Sequence, residues 1–147
     1  MRKVIVAPAA SGKSTMIKAG LPKNVVEADH VCHHTETLEL AALRSYGKRT
    51  GNWDPYDREY GRILTDRTSD DSIILIPSSD LAEVNKFEVL AVCVLAFDEW
   101  ARNVEARGES LKKYINNYRH ERSQCTYEAQ TNAELYEYIR MICSQQS

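Results

Sequence analysis

The chain has no apolar stretch near the roughly 20 residues that a membrane-spanning helix needs. After Met1-Arg2-Lys3 only four apolar residues, Val4 to Ala7, precede Pro8, too few for the core of a signal peptide. The four cysteines, Cys32, Cys93, Cys125 and Cys143, form no C-x-x-C pair and have no histidine placed to join them. That argues against a zinc site and fits free thiols in a reducing cytoplasm, the expected compartment. Charge of one sign is also lacking. The net charge of -2 gives no electrostatic case for general binding to nucleic acid, and no membrane partner is expected. Internal repeats, low-complexity tracts and linkers are missing too, so residues 1–147 read as a single domain.

What is present is the composition of a globular protein, 43% hydrophobic and 27% charged over 147 residues, enough for one core. Val4 to Ala7, Val25 to Ala28, Ser72 to Pro77 and Glu88 to Leu95 are short, largely apolar segments, read as buried strands. Helices are expected between them. Ser14 to Ala19 forms one, closed by Gly20 and Pro22. Residues 36–46 form another with Thr35 as cap, followed by a loop from Lys48 to Trp53. Asp54-Pro55 reads as a helix start with aspartate as cap, and Ser79 or Asp80 as the cap of a short helix through Val84. Phe97, Trp100, Ala101 and Val104 share one face of a helix ending at Gly108, and Ser110 caps the next. Thr131 and Glu134 have capping-box spacing before the last helix. No segment after the fourth strand reads clearly as a fifth. Apolar strands alternating with helices predict a three-layer α/β sandwich, a parallel sheet of four to five strands covered on both faces.

The chemistry concentrates between the first strand and the first helix, in Ala7-Pro8-Ala9-Ala10-Ser11-Gly12-Lys13-Ser14-Thr15. The pattern G-x-x-x-x-G-K-[ST] is met except at its first glycine, where Ala7 stands. Successive amides from about Ala9 through Ala10, Ser11, Gly12, Lys13 and Ser14 to Thr15 can converge on one anion. The helix N-terminus adds partial positive charge. Lys13 supplies an ammonium for β- and γ-phosphates, and the Ser14 hydroxyl a ligand for Mg²⁺. The expected ligands are therefore ATP, or another nucleoside triphosphate, and Mg²⁺. The competing reading is a chance Gly-Lys-Ser turn, which the flanking strand and helix disfavour.

With this loop, Asp29 after the second strand and arginines after the fourth, the chain resembles the small P-loop kinases. These include the nucleoside monophosphate, shikimate, gluconate and polynucleotide kinases. The resemblance spans about residues 3–143 in element order, but only the phosphate loop is specific by itself. It implies a P-loop NTPase fold and transfer of the γ-phosphoryl group of ATP to a small hydroxyl or phosphate acceptor, a nucleotide or nucleic-acid 5′ end among them. Asp29 is then the residue that faces the acceptor and orients or deprotonates its hydroxyl. The plainer reading of Asp29 is a solvated strand-end cap. The resemblance also implies an acceptor-binding insert at 48–67, with Arg49 and Trp53 as acceptor contacts. A lid over about 107–123 follows, with Arg107, Arg119 and Arg122 placed to meet transition-state charge beside Lys13. The alternative for those arginines is a solvated helix paired with Glu105, Glu109 and Glu121. His30, His33 and His34 can bind substrate or metal, although surface histidines are commoner. Asp80 stands three residues beyond the place of a Walker B aspartate and reads as a helix cap. That gap, the short first helix and Ala7 leave a second class open, a regulatory or structural NTP-binding module with no acceptor.

Overall fold

The computed structural model describes residues 1–146. In chain order the elements are β1 (Lys3–Val6), α1 (Lys13–Ala19), β2 (Val25–Glu27), α2 (Ala28–Val31), α3 (Leu38–Thr50) and α4 (Asp54–Arg67). Then come β3 (Ile73–Ile76), α5 (Ser79–Val84), β4 (Glu88–Leu95), α6 (Phe97–Ala106), α7 (Leu111–Ser123), β5 (Tyr127–Ala129) and α8 (Asn132–Ser144). Five strands form one parallel sheet in the order β2-β3-β1-β4-β5.

The pleat explains why the strands are apolar throughout. Ile5, Ile73, Leu75, Cys93 and Leu95 face a core closed by Met16 of α1, Trp100 and Val104 of α6, Tyr118 of α7 and Leu135 and Ile139 of α8. Their neighbours Val4, Val6, Ile74, Ile76 and Val92 face the other core, closed by Leu40 of α3, Tyr60, Ile63 and Leu64 of α4 and Leu81 of α5. A strand covered on both faces has no side that tolerates polar residues, so alternation disappears. The chain leaves β1 toward β2 and β3, then crosses to β4 and β5. The connections therefore diverge at adjacent strands β1 and β4, and the crevice beyond their carboxyl ends is where sheets of this kind hold ligands.

Several local expectations are corrected. The hydrogen bond that caps α3 is made by Thr37, whose hydroxyl accepts from Leu40 N, rather than by Thr35. The helix runs on to Thr50, so Lys48 and Arg49 are helical and Gly51 (φ 76°) ends the element. Gly47 inside α3 hid this, because it reads as a breaker until its reason is seen: the Trp53 ring packs where its Cβ would be, 2.6 Å away. Trp53, not Asp54, occupies the cap position of α4, and Ser78, not Ser79 or Asp80, caps α5 by accepting from Asp80 N. Thr131 caps α8 as expected, accepting from Glu134 N. The fifth strand is only three residues long and mixed in character, Tyr-Glu-Ala. It is held by pairing with β4 at Cys93, Val94 and Leu95 rather than by its own pattern.

Gly61 on α4 is a second place where only hydrogen fits. A Cβ there would sit 2.1 Å from the Asn85 carboxamide, which is itself tied to the carbonyls of Asp57 and Leu81 at 2.9 Å each. Gly61→Ala is therefore expected to destabilise the protein by about 1–3 kcal/mol despite alanine's better helix propensity. Urea denaturation checks this; an unchanged or raised midpoint would show that Asn85 yields freely.

Candidate functional site

Between β1 and α1 the segment from Ala7 to Gly12 turns through two left-handed residues, Ala10 (φ 69°) and Gly12 (φ 84°). Ala7, where the motif has glycine, is fully buried and has ordinary φ, and its N–H extends the sheet to Ile76 O at 2.9 Å. The departure from the motif carries no conformational cost at Ala7. Strain sits at Ala10 instead, where an L-residue at positive φ costs about 1–2 kcal/mol.

What holds the loop is a set of donors aimed at its carbonyls. Trp100 Nε1 donates to Ala9 O and Asn103 Nδ2 to Ala10 O, both at 2.9 Å. Lys13 Nζ donates to Ala7 O at 2.7 Å and Pro8 O at 3.1 Å. With the carbonyls engaged outward, the N–H groups of Ala10, Gly12, Lys13, Ser14 and Thr15 have no hydrogen-bond partner among the described residues. Two amides of the expected series are used internally: Ala9 N donates to Asn117 Oδ1 at 3.1 Å and Ser11 N to Pro8 O at 3.2 Å. The Ser11 hydroxyl is buried without a partner.

Lys13 is only 7% exposed. Burial brings its ammonium down to about pKa 8, against the opposing pull of Glu27 and Asp29, while Arg107 pushes the same way as burial. The Ser14 hydroxyl donates to Glu27 Oε1 at 2.7 Å, and His30 Nε2 lies 3.2 Å from the same oxygen. Glu27 is a cavity-lining residue that sequence reasoning passed over. Its signal was a carboxylate at a buried position of an apolar strand. Asp29, in the first turn of α2, is exposed and accepts from the Tyr60 hydroxyl at 3.0 Å.

These groups share one cavity of about 810 Å³. The loop from Ala9 to Thr15 forms its floor, Glu27, Asp29, His30 and Pro77 one wall, and Asn103, Arg107, Asn132 and Tyr136 part of the other. Arg107 ends α6 directly before Gly108 (φ 71°), with its guanidinium 5.5 Å from the Tyr114 ring centre.

The other candidates lie elsewhere. Arg119 is exposed on α7, Arg122 pairs with Glu128 at 3.1 Å, and neither lines the cavity. Helix α7 is docked firmly on the sheet. Tyr118 stacks on Trp100 at 4.2 Å between ring centres and donates to Leu95 O at 2.5 Å. Asn117 donates to Pro77 O, and buried Glu121 accepts from Ser79 N. Arg49 leans over the Tyr46 ring at 6.0 Å, and Trp53 packs on Gly47 and edge-on to Tyr56. Both stand outside the cavity. Asp80 faces His120 at 3.2 Å. Among the described residues no three of His, Cys, Asp and Glu are grouped as a metal cage, and no helix is long and apolar enough to cross a membrane.

Fold and loop together define an α/β protein with a P-loop NTPase-like fold. No family model matches the chain, and no curated protein matches it in sequence. Among solved structures it is similar to a gluconokinase from Sinorhizobium meliloti 1021, with a TM-score of 0.54 and 18% identity, covering 98% of this chain and 91% of that one. At that identity the likeness speaks to the fold.

Asn103 supports the strained Ala10 peptide and also pairs with Asn132 through both carboxamides, at 2.8 and 3.0 Å. Asn103→Ala should cost about 1–2 kcal/mol and speed amide hydrogen exchange at residues 10–13 while leaving the strands protected. Unchanged exchange in the loop would mean that its shape is set by the backbone alone.

Proposed function

We propose that the protein is an ATP-dependent phosphotransferase that moves the γ-phosphoryl group to a small acceptor. The observation that carries the reading is the shared cavity in which unpartnered loop amides, Lys13 and Ser14 face the exposed carboxylate of Asp29. The structural neighbour's description as a gluconokinase supports the same class.

Each residue then has a task. The amides of Ala10 and of Gly12 to Thr15 receive phosphate oxygens, helped by the N-terminus of α1. The Lys13 ammonium exchanges the carbonyls of Ala7 and Pro8 for the β- and γ-phosphates, turning a buried charge held by dipoles into one matched by anions. The donor set of the Ser14 hydroxyl with the Glu27 carboxylate behind it fits Mg²⁺, a hard cation that takes few protein ligands when phosphates supply the rest. When bound there, Mg²⁺ supplies charge neutralisation of the phosphates. Asp29 accepts the proton of the acceptor hydroxyl or fixes its direction, and the Tyr60 hydroxyl orients that carboxylate. Arg107, in the exposed turn before Gly108, supplies positive charge to the phosphoryl group in transfer.

Asp29→Asn is expected to lower acceptor-dependent ADP release by about 100-fold or more, while affinity for Mg-ATP is retained. A coupled assay beside calorimetry separates the two effects; full transfer activity in the variant would remove Asp29 from the mechanism. ADP release that no acceptor accelerates would instead mark a nucleotide-binding module.

Lys13 also sets a pH dependence. Its value of about 8 belongs to the nucleotide-free protein, and bound phosphates raise it, because they favour the charged form. Affinity for Mg-ATP should thus be full below pH 8 and fall as the pH rises through 8, by up to about tenfold per unit. Constant affinity from pH 7 to 9.5 by calorimetry would show that the ammonium takes no part in binding.

A further inference from the structure

Three charged side chains are buried among the described residues: Lys13, Glu27 and Glu121. The first two line the cavity and have tasks there; Glu121 does not line it. It lies within α7, fully buried, with Oε2 accepting from Ser79 N at 3.2 Å and Oε1 without a partner among the described residues. An ionised carboxylate enclosed with one oxygen unpaired is costly, and the neutral acid is much less so. Burial accordingly pushes the Glu121 carboxyl above the ordinary 4.5, against the lowering pull of Ser79 and His120 and with a smaller push from Asp80.

Its surroundings tie this group to the phosphate loop. Asn117, His120, Glu121 and Gln124 have the i, i+3, i+4, i+7 spacing of one helix face. All four meet the turn from β3 into α5. Asn117 Nδ2 donates to Pro77 O at 3.0 Å, Gln124 Nε2 donates to the Ser79 hydroxyl at 2.8 Å, and His120 Nε2 lies 3.2 Å from Asp80 Oδ1. These contacts are all polar, so their strength depends on the charge state of the groups that make them. Asn117 also accepts from Ala9 N at 3.1 Å, and Ala9 and Pro77 both line the cavity. One carboxamide thus bridges the phosphate loop and the end of β3, and Glu121 seats the same helix one turn further on. The charged groups facing Glu121 are His120 from its own helix and Asp80 from α5. Asp57 of α4 acts on Asp80 in turn, and Arg122 is engaged by Glu128. Pro77 to Ser79 and the part of β4 from Ala91 to Leu95 carry no charge.

We infer that Glu121 is a positioning residue for the phosphate loop: protonated, it seats α7 on the β3–α5 turn, and its ionisation loosens Asn117 from Ala9 and Pro77. The proton leaves to solvent as water enters to hydrate the carboxylate, and no covalent bond between heavy atoms changes. The folded protein holds this proton more tightly than the unfolded chain does. The seam is therefore firmest at low pH and weakens as the pH rises through the raised value, the reverse of a carboxylate in an ion pair. The seam stands by itself, whereas its effect on nucleotide rests on the phosphotransferase reading.

Glu121→Gln tests this, because it copies the neutral acid in shape and keeps an oxygen for Ser79 N. Exchange of the Ala9 amide is followed by NMR in the nucleotide-free protein from pH 5 to 9, corrected for the intrinsic pH dependence of exchange. Protection at Ala9 should fall roughly threefold or more in the native protein as the pH rises, and stay level in Glu121→Gln. Asn117→Ala should lose that protection at every pH. The Glu121 carboxyl carbon should titrate above 4.5, with the same midpoint as the change at Ala9. Parallel exchange profiles in the native protein and Glu121→Gln, or a carboxyl that titrates at or below 4.5, overturn the inference.

Calorimetry with Mg-ATP over the same range separates the seam from the function. Lys13 is common to both proteins, so the ratio of their affinities reports Glu121 alone, and it should move in favour of Glu121→Gln as the pH rises. A constant ratio while both proteins bind overturns the positioning role. A level exchange profile in Glu121→Gln, with Mg-ATP bound by neither protein, supports the seam and counts against the phosphotransferase reading alone.

Discussion

The fixed orientation of a few peptide groups between β1 and α1 is the constraint on which the rest depends. A loop can grip an anion only if its N–H groups turn inward together, and they do so only if its carbonyls are satisfied on the outside. Here that is done by side chains far away in sequence: Trp100 and Asn103 on α6, with Asn117 on α7 taking the N–H of Ala9. The two helices are in turn fixed by the Trp100–Tyr118 stack and by Tyr118 bonding to the end of β4. The fold builds the site from behind, and the strain at Ala10 is offset by packing about 90 residues further along the chain.

The electrostatics follow from the same arrangement. Lys13 is buried with its ammonium on backbone carbonyls, and burial lowers its pKa despite the pull of Glu27 and Asp29, which readies it for a stronger partner. Glu27 and Asp29, two residues apart, lie in different surroundings because β2 gives way to α2 between them. Glu27 is held inside by Ser14 and Asp29 is left outside on Tyr60. One carboxylate is thereby suited to the cation side of a phosphate site and the other to an incoming hydroxyl.

Much of this was legible in the sequence. Apolar strands and capped helices specified a parallel three-layer sandwich, and Gly12-Lys13-Ser14 specified the loop, because both are local patterns. What escaped was non-local. β5 exists by pairing with β4, and α3 continues through Gly47 because Trp53 packs on it. The importance of Asn103 and Asn117 could not be read from residues that look like ordinary polar positions on helices. Likewise, Arg49 leans over the Tyr46 ring and Trp53 packs on Gly47, placements outside the cavity that depend on tertiary packing and not on a local pattern.

The central claim is that the freed amides hold a polyphosphate. Backbone ¹⁵N–¹H NMR during titration with Mg-ATP tests it most directly. Saturable downfield shifts at Gly12, Lys13, Ser14 and Thr15, with Ala9 little changed because Asn117 already holds its N–H, are the predicted result. If no Mg-nucleotide moves those resonances, the loop does not bind phosphate and the account fails.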